Sequence, residues 1–100
     1  MAGPINYEFF KPFEGQNFKT QAQDGSPTDL FLKRIEKREN GPSGFEFFSL
    51  LFDGPLEPRL EQATYVLHKD GVDELPVFLV PVAGDDQGFQ YEAVYNIRLG

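Results

Sequence analysis

Apolar and polar residues alternate with a period of two through the second half of the chain. The alternation is cleanest over residues 89–97, where the odd-numbered positions are all apolar or aromatic. This pattern is typical of a β-strand with one buried face. Residues 63–69 and 76–82 are rich in Val, Leu, Tyr and Phe and predict two more strands. Asp- and Gly-containing segments at residues 70–74 and 83–88 separate the three strands, so the pattern predicts an antiparallel meander.

The segment FEFFSLLFDG, Phe45–Gly54, is apolar on both faces of an extended strand. One face carries Phe45, Phe47 and Leu51, and the other carries Phe48, Leu50 and Phe52. We therefore predict a central strand of a rolled sheet, part of the core rather than a binding face, with cover on both sides. The nearest cover is INYEFFKPFEG, in which Asn6 can cap a short helical turn that points Phe9, Phe10 and Phe13 inward.

Residues 28–39 carry two conflicting signals. Ser26 as a helix cap, Pro27 at the first helical position and Asn40-Gly41 as a stop favour a helix. Leu30 and Leu32, in contrast, alternate as in a strand. The local sequence leaves both structures open.

Length, charge and composition exclude several classes of protein. A chain of 100 residues with 40% hydrophobic residues, 11 Phe and no Cys has material for one core, and we expect a single domain over residues 1–100. A net charge of −7 disfavours binding to nucleic acids and anionic membranes. The N-terminus lacks the pattern of a Sec-type signal peptide, so we expect a cytoplasmic protein, with export by another route still open. The longest apolar run, residues 77–83, is too short to insert into a membrane.

Most of the chain resembles a family of short bacterial proteins known only as a domain of unknown function. The motifs that carry the resemblance are NYEFFKPFEGQNF, FSLLFDGP, FLVPV and YEAVYN. The resemblance implies a strand over residues 29–36, and it implies no catalytic residues. Ala63 departs from the family pattern, in which Gly is expected there. Family members occur beside genes for phage-tail-like collar or fibre proteins, which implies a structural or adaptor role.

Few residues are candidates for chemistry. The single histidine, His68, has no Cys to join it in a metal site, and we interpret it as a strand residue near a turn. Glu46 and Glu92 could form an acid/base pair if both faced one cavity, but alternation puts Glu92 outside, and Glu46 is expected to pair with an Arg such as Arg34 or Arg98.

Charged side chains form two groups along the chain. The basic cluster Lys33, Arg34, Lys37 and Arg38 could form an oligonucleotide-binding face, although Glu36, Glu39 and the net charge favour a solvated edge strand. In a meander, three loops would share one end of the fold. That acidic rim would carry Asp24, Asp29, Asp53, Glu57, Glu61, Asp85 and Asp86. Asp53, Asp85 and Asp86 are weak candidates for a cation site, without the spacing of a calcium loop.

Together these observations predict an all-β protein: a small antiparallel barrel or roll of about six strands with a short N-terminal helical segment. We expect a non-enzymatic interaction or assembly module without a cofactor, such as an adaptor of a phage-tail-like or surface structure, that binds another protein or itself. It would do so through an unpaired strand edge, which we favour, or through rim residues Asp24, Asp53, Asp85 and Asp86. The alternative is a small barrel enzyme or ligand-binding protein with a carboxylate-lined cavity.

Overall fold

Six β-strands and one short helical segment make up the computed structural model, which describes residues 6–38 and 44–98. Helix α1 spans Tyr7–Phe10 and continues as a 3₁₀ turn over Lys11–Phe13. The strands are β1 (Asn17–Gln21), β2 (Pro27–Arg38), β3 (Phe45–Gly54), β4 (Ala63–Lys69), β5 (Val72–Gly84) and β6 (Phe89–Arg98). They close into an antiparallel barrel, which confirms the predicted fold class.

The barrel consists of two three-stranded meanders joined along two seams. Strands follow the order β1-β2-β3-β6-β5-β4, so β3 pairs with β6 and β1 pairs with β4. The first seam is continuous, from Phe45 opposite Arg98 to Gly54 opposite Phe89. The second is narrow, with Lys19 opposite His68 and the Thr20 hydroxyl donating to the Val66 carbonyl oxygen at 2.8 Å. The predicted meander of the last three strands is confirmed.

Strands β2 and β5 are long because each pairs with different neighbours along its two halves. β2 pairs with β1 up to Phe31 and with β3 from Phe31 onward, while β5 pairs with β4 up to Leu79 and with β6 from Val80. A register shift occurs in each strand near the change of partner, at Lys33 in β2 and at Val82 in β5. Such β-bulges bend a strand, which lets each meander curve around the core.

The structure settles the residues that the local sequence left open and corrects the start of one predicted strand. β2 is a strand, as the family resemblance implied, because its alternate side chains Thr28, Leu30 and Leu32 enter the interior. Pairing with β1 and β3 outweighs the local helix signals. β5 begins at Val72 rather than at Pro76, since Gly71, with φ of 81°, completes a tight turn that lets the strand start at once.

The interior is apolar throughout the described residues. Buried hydrophobic side chains come from every strand and from α1, and the only buried polar residues among the described positions are Thr20 and Thr28. Two plugs close the ends of the barrel. Phe10 enters from α1 at one end, and Leu60, whose N–H donates to the buried Tyr91 hydroxyl at 2.9 Å, enters from the β3–β4 loop at the other.

The N-terminal helical segment lies at the end of the barrel and not over the outer face of β3, where cover was expected. Asn6 caps α1 as predicted, since its side chain accepts the Phe9 N–H at 2.9 Å. Phe10 then packs against Phe48 and Tyr95, with ring centroids 6.0 and 5.4 Å away. The helix therefore covers the inner face of β3, where the apolar side chains meet the core.

We expect the two faces of β3 to differ sharply in stability measurements. Phe48 is 2% exposed and stacks on Tyr95 at 4.9 Å, so Phe48→Ala should lower the free energy of unfolding by about 3–5 kcal/mol. Phe47→Ala, the matched control on the outer face, should cost less than about 1.5 kcal/mol because its side chain leaves no buried cavity. Urea denaturation of both variants measures the difference, and equal losses would contradict the assignment of faces.

Tyr95 should titrate late. Burial raises the pKa of Tyr95 to about 12, whereas an unfolded tyrosine titrates near ~10. Because the unfolded chain loses this proton first, the contribution of neutral Tyr95 to stability is complete below about pH 10 and is lost as the pH rises towards 12. The ultraviolet absorbance of tyrosinate should show the late step, which Tyr95→Phe should abolish and Tyr7→Phe should leave in place.

Candidate interaction surface

The outer face of β3 and its two neighbours forms an uncovered surface with apolar and charged side chains. We call it the β3 face and define it by the outward-pointing residues of β2, β3 and β6. These are Arg34, Glu36 and Arg38; Phe45, Phe47, Ser49 and Leu51; and Glu92, Val94 and Asn96. Phe45 is 43% exposed and Val94 is 71% exposed. The sequence analysis expected cover over this face, but none of the described residues packs over it.

Strand pairing arranges the β3 face in rows. Arg34 lies opposite Leu51, which lies opposite Glu92 in β6. The next outward row runs from Glu36 through Ser49 to Val94, and the third from Arg38 through Phe47 to Asn96. Each row therefore begins with a charged residue of β2 and continues to a residue of β3. Among the described outward residues of β6, Glu92 is the one carboxylate.

A depression lies in the middle of the β3 face. Its volume is about 540 Å³, and its lining includes Phe47, Ser49 and Val94. A second, smaller depression of about 80 Å³ lies between Arg34 and Glu92, above Leu51. Ser49 is the smallest side chain of β3 between Phe45 and Phe52, so the strand is lowest where the depressions lie. The face therefore has relief that another protein surface could fill.

Among the described side chains of this face, the one ion pair lies within β2. The Arg34 Nε atom lies 2.8 Å from Glu36 Oε1, and both side chains are more than half exposed. An exposed pair of this kind contributes between about 0 and 1 kcal/mol to stability. Arg34 can therefore exchange this partner for another carboxylate at little cost.

The acidic rim corresponds to three connections between strands. The turns and loops at residues 22–26, 55–62 and 85–88 all lie at the end of the barrel that Leu60 plugs. Asp53 and Asp85 line one depression of about 360 Å³, together with Lys33. Asp24 and Asp86 belong to the same end but are not part of its lining. The structure thus brings two of the four predicted partner-binding residues into one site.

Hydrogen bonds hold the rim loops in defined conformations. The Asp85 Oδ1 atom accepts the N–H groups of Gln87 and Gly88 at 2.8 and 3.1 Å. A Cβ atom at Gly88 would collide with the carbonyl oxygen of Gly54, so this loop depends on glycine to approach β3. Hydrogen bonds from the Ser26 hydroxyl and N–H hold the pKa of Asp24 below its ordinary value. The carboxylates therefore act as turn-forming acceptors.

Metal-binding geometry is absent from residues 6–38 and 44–98, where no group of three His, Asp or Glu side chains could hold an ion. Asp53, the central cation candidate, instead accepts a hydrogen bond from the Gln90 side chain at 3.1 Å. His68 is exposed in β4 near the Asp70-Gly71 turn, which agrees with its interpretation as a strand residue.

Glu46 and Glu92 lie on opposite faces of the sheet and cannot line one cavity. Glu46 points to the helix end of the barrel, where its Oε1 atom accepts the Tyr7 N–H at 2.8 Å. Its other oxygen lies 3.9 Å from Lys37 Nζ, so its basic neighbour among the described side chains is Lys37 and not Arg34, which pairs with Glu36. Glu46 therefore anchors the start of α1 on β3.

The basic cluster of β2 is divided among three places. Lys33 occupies the bulge beside the rim depression, Arg34 and Arg38 point to the β3 face, and Lys37 lies over the Tyr7 ring at 5.1 Å. The half of β2 that contains them pairs with β3 on one side. On its other side, Glu14 Oε2 accepts the Ile35 N–H at 3.0 Å. The alternation of the strand thus prevents one continuous basic face.

Sequence reasoning missed the β3 face because it assigned all of Phe45–Gly54 to the core. The available signal was that both sides of this strand are apolar, because a closed barrel can bury only one of them. Among the described residues, no helix is long and apolar enough to cross a membrane.

Residues 5–95 match the model of a protein family described as Domain of unknown function (DUF6916), and the chain belongs to this family. Neither curated proteins nor solved structures gave a match.

Proposed function

We propose that this member of the DUF6916 family is a non-enzymatic interaction module whose β3 face packs against another protein surface. The observation that carries the proposal is the uncovered apolar side of a strand that is paired along its whole length with β6. Because the backbone of β3 is already hydrogen-bonded, its outward side chains are what the face offers to a partner. Phe45 and Phe47, with ring centroids 6.2 Å apart, are the aromatic anchors of the kind found at protein interfaces.

Exposed apolar residues elsewhere make a weaker case. Val66 and Phe78, on β4 and β5, are 41% and 51% exposed, and with Pro76, which lies opposite Val66, they form an apolar strip that carries one aromatic ring. The β3 face differs because its aromatic pair, its depressions and Val94 are contiguous. The apolar interior gives no support to the alternative of a carboxylate-lined cavity inside the barrel, since Glu46 accepts the Tyr7 N–H instead.

A role as an adaptor or accessory protein of a phage-tail-like or surface structure is the finer form of this proposal. Its support is the gene association that the family resemblance implies, together with the small size of the chain. Strand-edge pairing, binding through the acidic rim and a cytoplasmic location stay predictions.

Site-specific cross-linking should identify what contacts the β3 face. A photoreactive amino acid placed at Val94 should capture a protein partner, which is then purified for direct binding measurements. The same group at Val66, an exposed valine on β4, is the control and should not capture that partner. Equal capture at both positions would contradict the proposal.

Direct binding of the purified partner then tests the contact. Val94→Glu should weaken binding at least about tenfold, or ~1.4 kcal/mol, because it places a charge in an apolar contact, whereas Val66→Glu should not. Asp85→Asn/Asp86→Asn tests the rim, which would also lose binding between about 0.1 and 1 M salt as screening increases. If the rim variant loses binding and Val94→Glu does not, the acidic loops are the site.

A further inference from the structure

The charge of the β3 face differs from that of the whole molecule. Among the side chains that the structure describes on this face, Arg34 and Arg38 are balanced by Glu36 and Glu92. The chain as a whole carries a net charge of −7, so the excess of negative charge lies elsewhere. A partner that is itself strongly acidic would be repelled least if it approached through this face.

The charges are also placed unequally across the face. Both arginines belong to β2, on one side of β3, with Glu36 between them, and Glu92 belongs to β6, on the other side. Arg34 and Glu92 occupy the same row, with Leu51 between them. In this row, the β2 edge of the face therefore carries a cation and the β6 edge carries an anion.

We propose that the β3 face packs on the β3 face of a second copy of this chain, about a two-fold axis parallel to β3. The proposal rests on the proposed function and names its partner. A rotation about this axis places β2 of one copy over β6 of the other and keeps every residue in its own row. Arg34 of each copy then lies opposite Glu92 of the other, so one rotation forms two equivalent ion pairs.

The other in-plane axis gives the wrong charges. A two-fold axis perpendicular to β3 places β2 over β2 and β6 over β6, so Arg34 and Arg38 can meet only Glu36 or each other, and Glu92 faces β6, whose described outward side chains include no cation. Like charges facing each other across an interface oppose association. The distribution of Arg34, Arg38 and Glu92 thus selects one of the two face-to-face arrangements.

The relief of the face agrees with the selected arrangement. Val94 is the most exposed large apolar side chain of the described surface, at 71%. It shares its row with Ser49 and Glu36, so the rotation places it over the β2 side of that row in the other copy. The 540 Å³ depression crosses all three strands of the face, from Glu36 past Phe47 and Ser49 to Val94 itself, so the incoming Val94 meets its β2 end, beside Glu36.

The size of the face limits the strength of the dimer. Three strands spaced about 4.8 Å apart, over the roughly 20 Å from Phe45 to Leu51, present a patch of the order of 300 Å² per copy. Two such patches fall in the range of weak and transient interfaces, below about 1,200 Å² in total. We therefore expect a reversible dimer whose fraction rises with concentration.

Charge reversal gives a test with an internal control. In a homodimer of Arg34→Glu, Glu92 would lie opposite a second acid, and in a homodimer of Glu92→Arg, Arg34 would lie opposite a second base. Each variant alone should therefore be monomeric. Sedimentation velocity measures this at concentrations where the wild type dimerises. The double variant Arg34→Glu/Glu92→Arg should dimerise again. A mixture of the two single variants should form a heterodimer, because both of its contacts then join opposite charges.

Val94→Glu tests the same contact without altering Arg34. It should abolish the dimer, whereas Val66→Glu and Asp85→Asn/Asp86→Asn should leave the dimer fraction unchanged. Circular dichroism of each variant checks that the barrel is intact, and if Arg34→Glu does not fold, the comparison of Val94→Glu with Val66→Glu decides alone.

Three results would overturn the dimer: a wild type that stays monomeric at millimolar concentration, a double variant and mixture that both fail to associate, or Val94→Glu and Val66→Glu variants that dimerise equally. If one of these is found while Val94→Glu still loses a cross-linked partner of another kind, the proposed function stands and only the identity of the partner is wrong. If Val94→Glu affects neither, both proposals fail.

Discussion

The continuous pairing of β3 with β6 determines which half of the Phe-rich strand reaches the core. Once Phe45 lies opposite Arg98 and Gly54 opposite Phe89, every side chain of β3 is assigned to the inside or the outside. A shift of one residue would exchange Phe48, Leu50 and Phe52 for the outward set. The inner set is the one that fills the barrel, at 2% exposure or less. The apolar outer face is therefore a consequence of the same register that builds the core.

The two ends of the barrel depend on that register as well. Phe48 lies at the helix end, where Phe10 and Tyr95 pack against it, and the neighbouring Glu46 accepts the first N–H of α1. At the other end, Tyr91 lies opposite Phe52 and uses its hydroxyl to hold Leu60 in place. Both plugs are thus fixed to the β3–β6 seam, so loss of packing along this seam would loosen both ends of the core at once.

Much of the fold could be predicted from the sequence because its strands follow the simplest period. The alternation at residues 89–97, the turn residues and the Asn6 cap each act locally, and each appears in the structure as predicted. Residues 28–39 could not be assigned locally, since their structure depends on pairing with β1 and β3, and only the family resemblance indicated a strand. The start of β5 was missed because a two-residue turn at Gly71 was counted as a longer loop.

The candidate surface was missed for a different reason, which lies in the geometry of barrels. An amphipathic strand reveals its two faces by composition, but FEFFSLLF is apolar on both, and nothing local indicates which side a closed barrel will exclude. The sequence analysis resolved this by predicting cover on both sides, and the structure provides it on one side within the described residues.

A small barrel gains stability from every apolar side chain that it buries. The apolar side chains on the outer face of β3 add nothing to the core. Phe45, Phe47 and Val94 would thus be costly in a protein that stayed alone, because exposed apolar patches promote unspecific association. The charged residues beside them reduce that risk selectively. Arg34, Arg38, Glu36 and Glu92 surround the apolar centre with both signs of charge, so a surface without a matching pattern would bury unpaired charges on contact. The β3 face is therefore apolar enough to associate and charged in a pattern that restricts what it can associate with, a combination that favours one specific docking geometry over general aggregation.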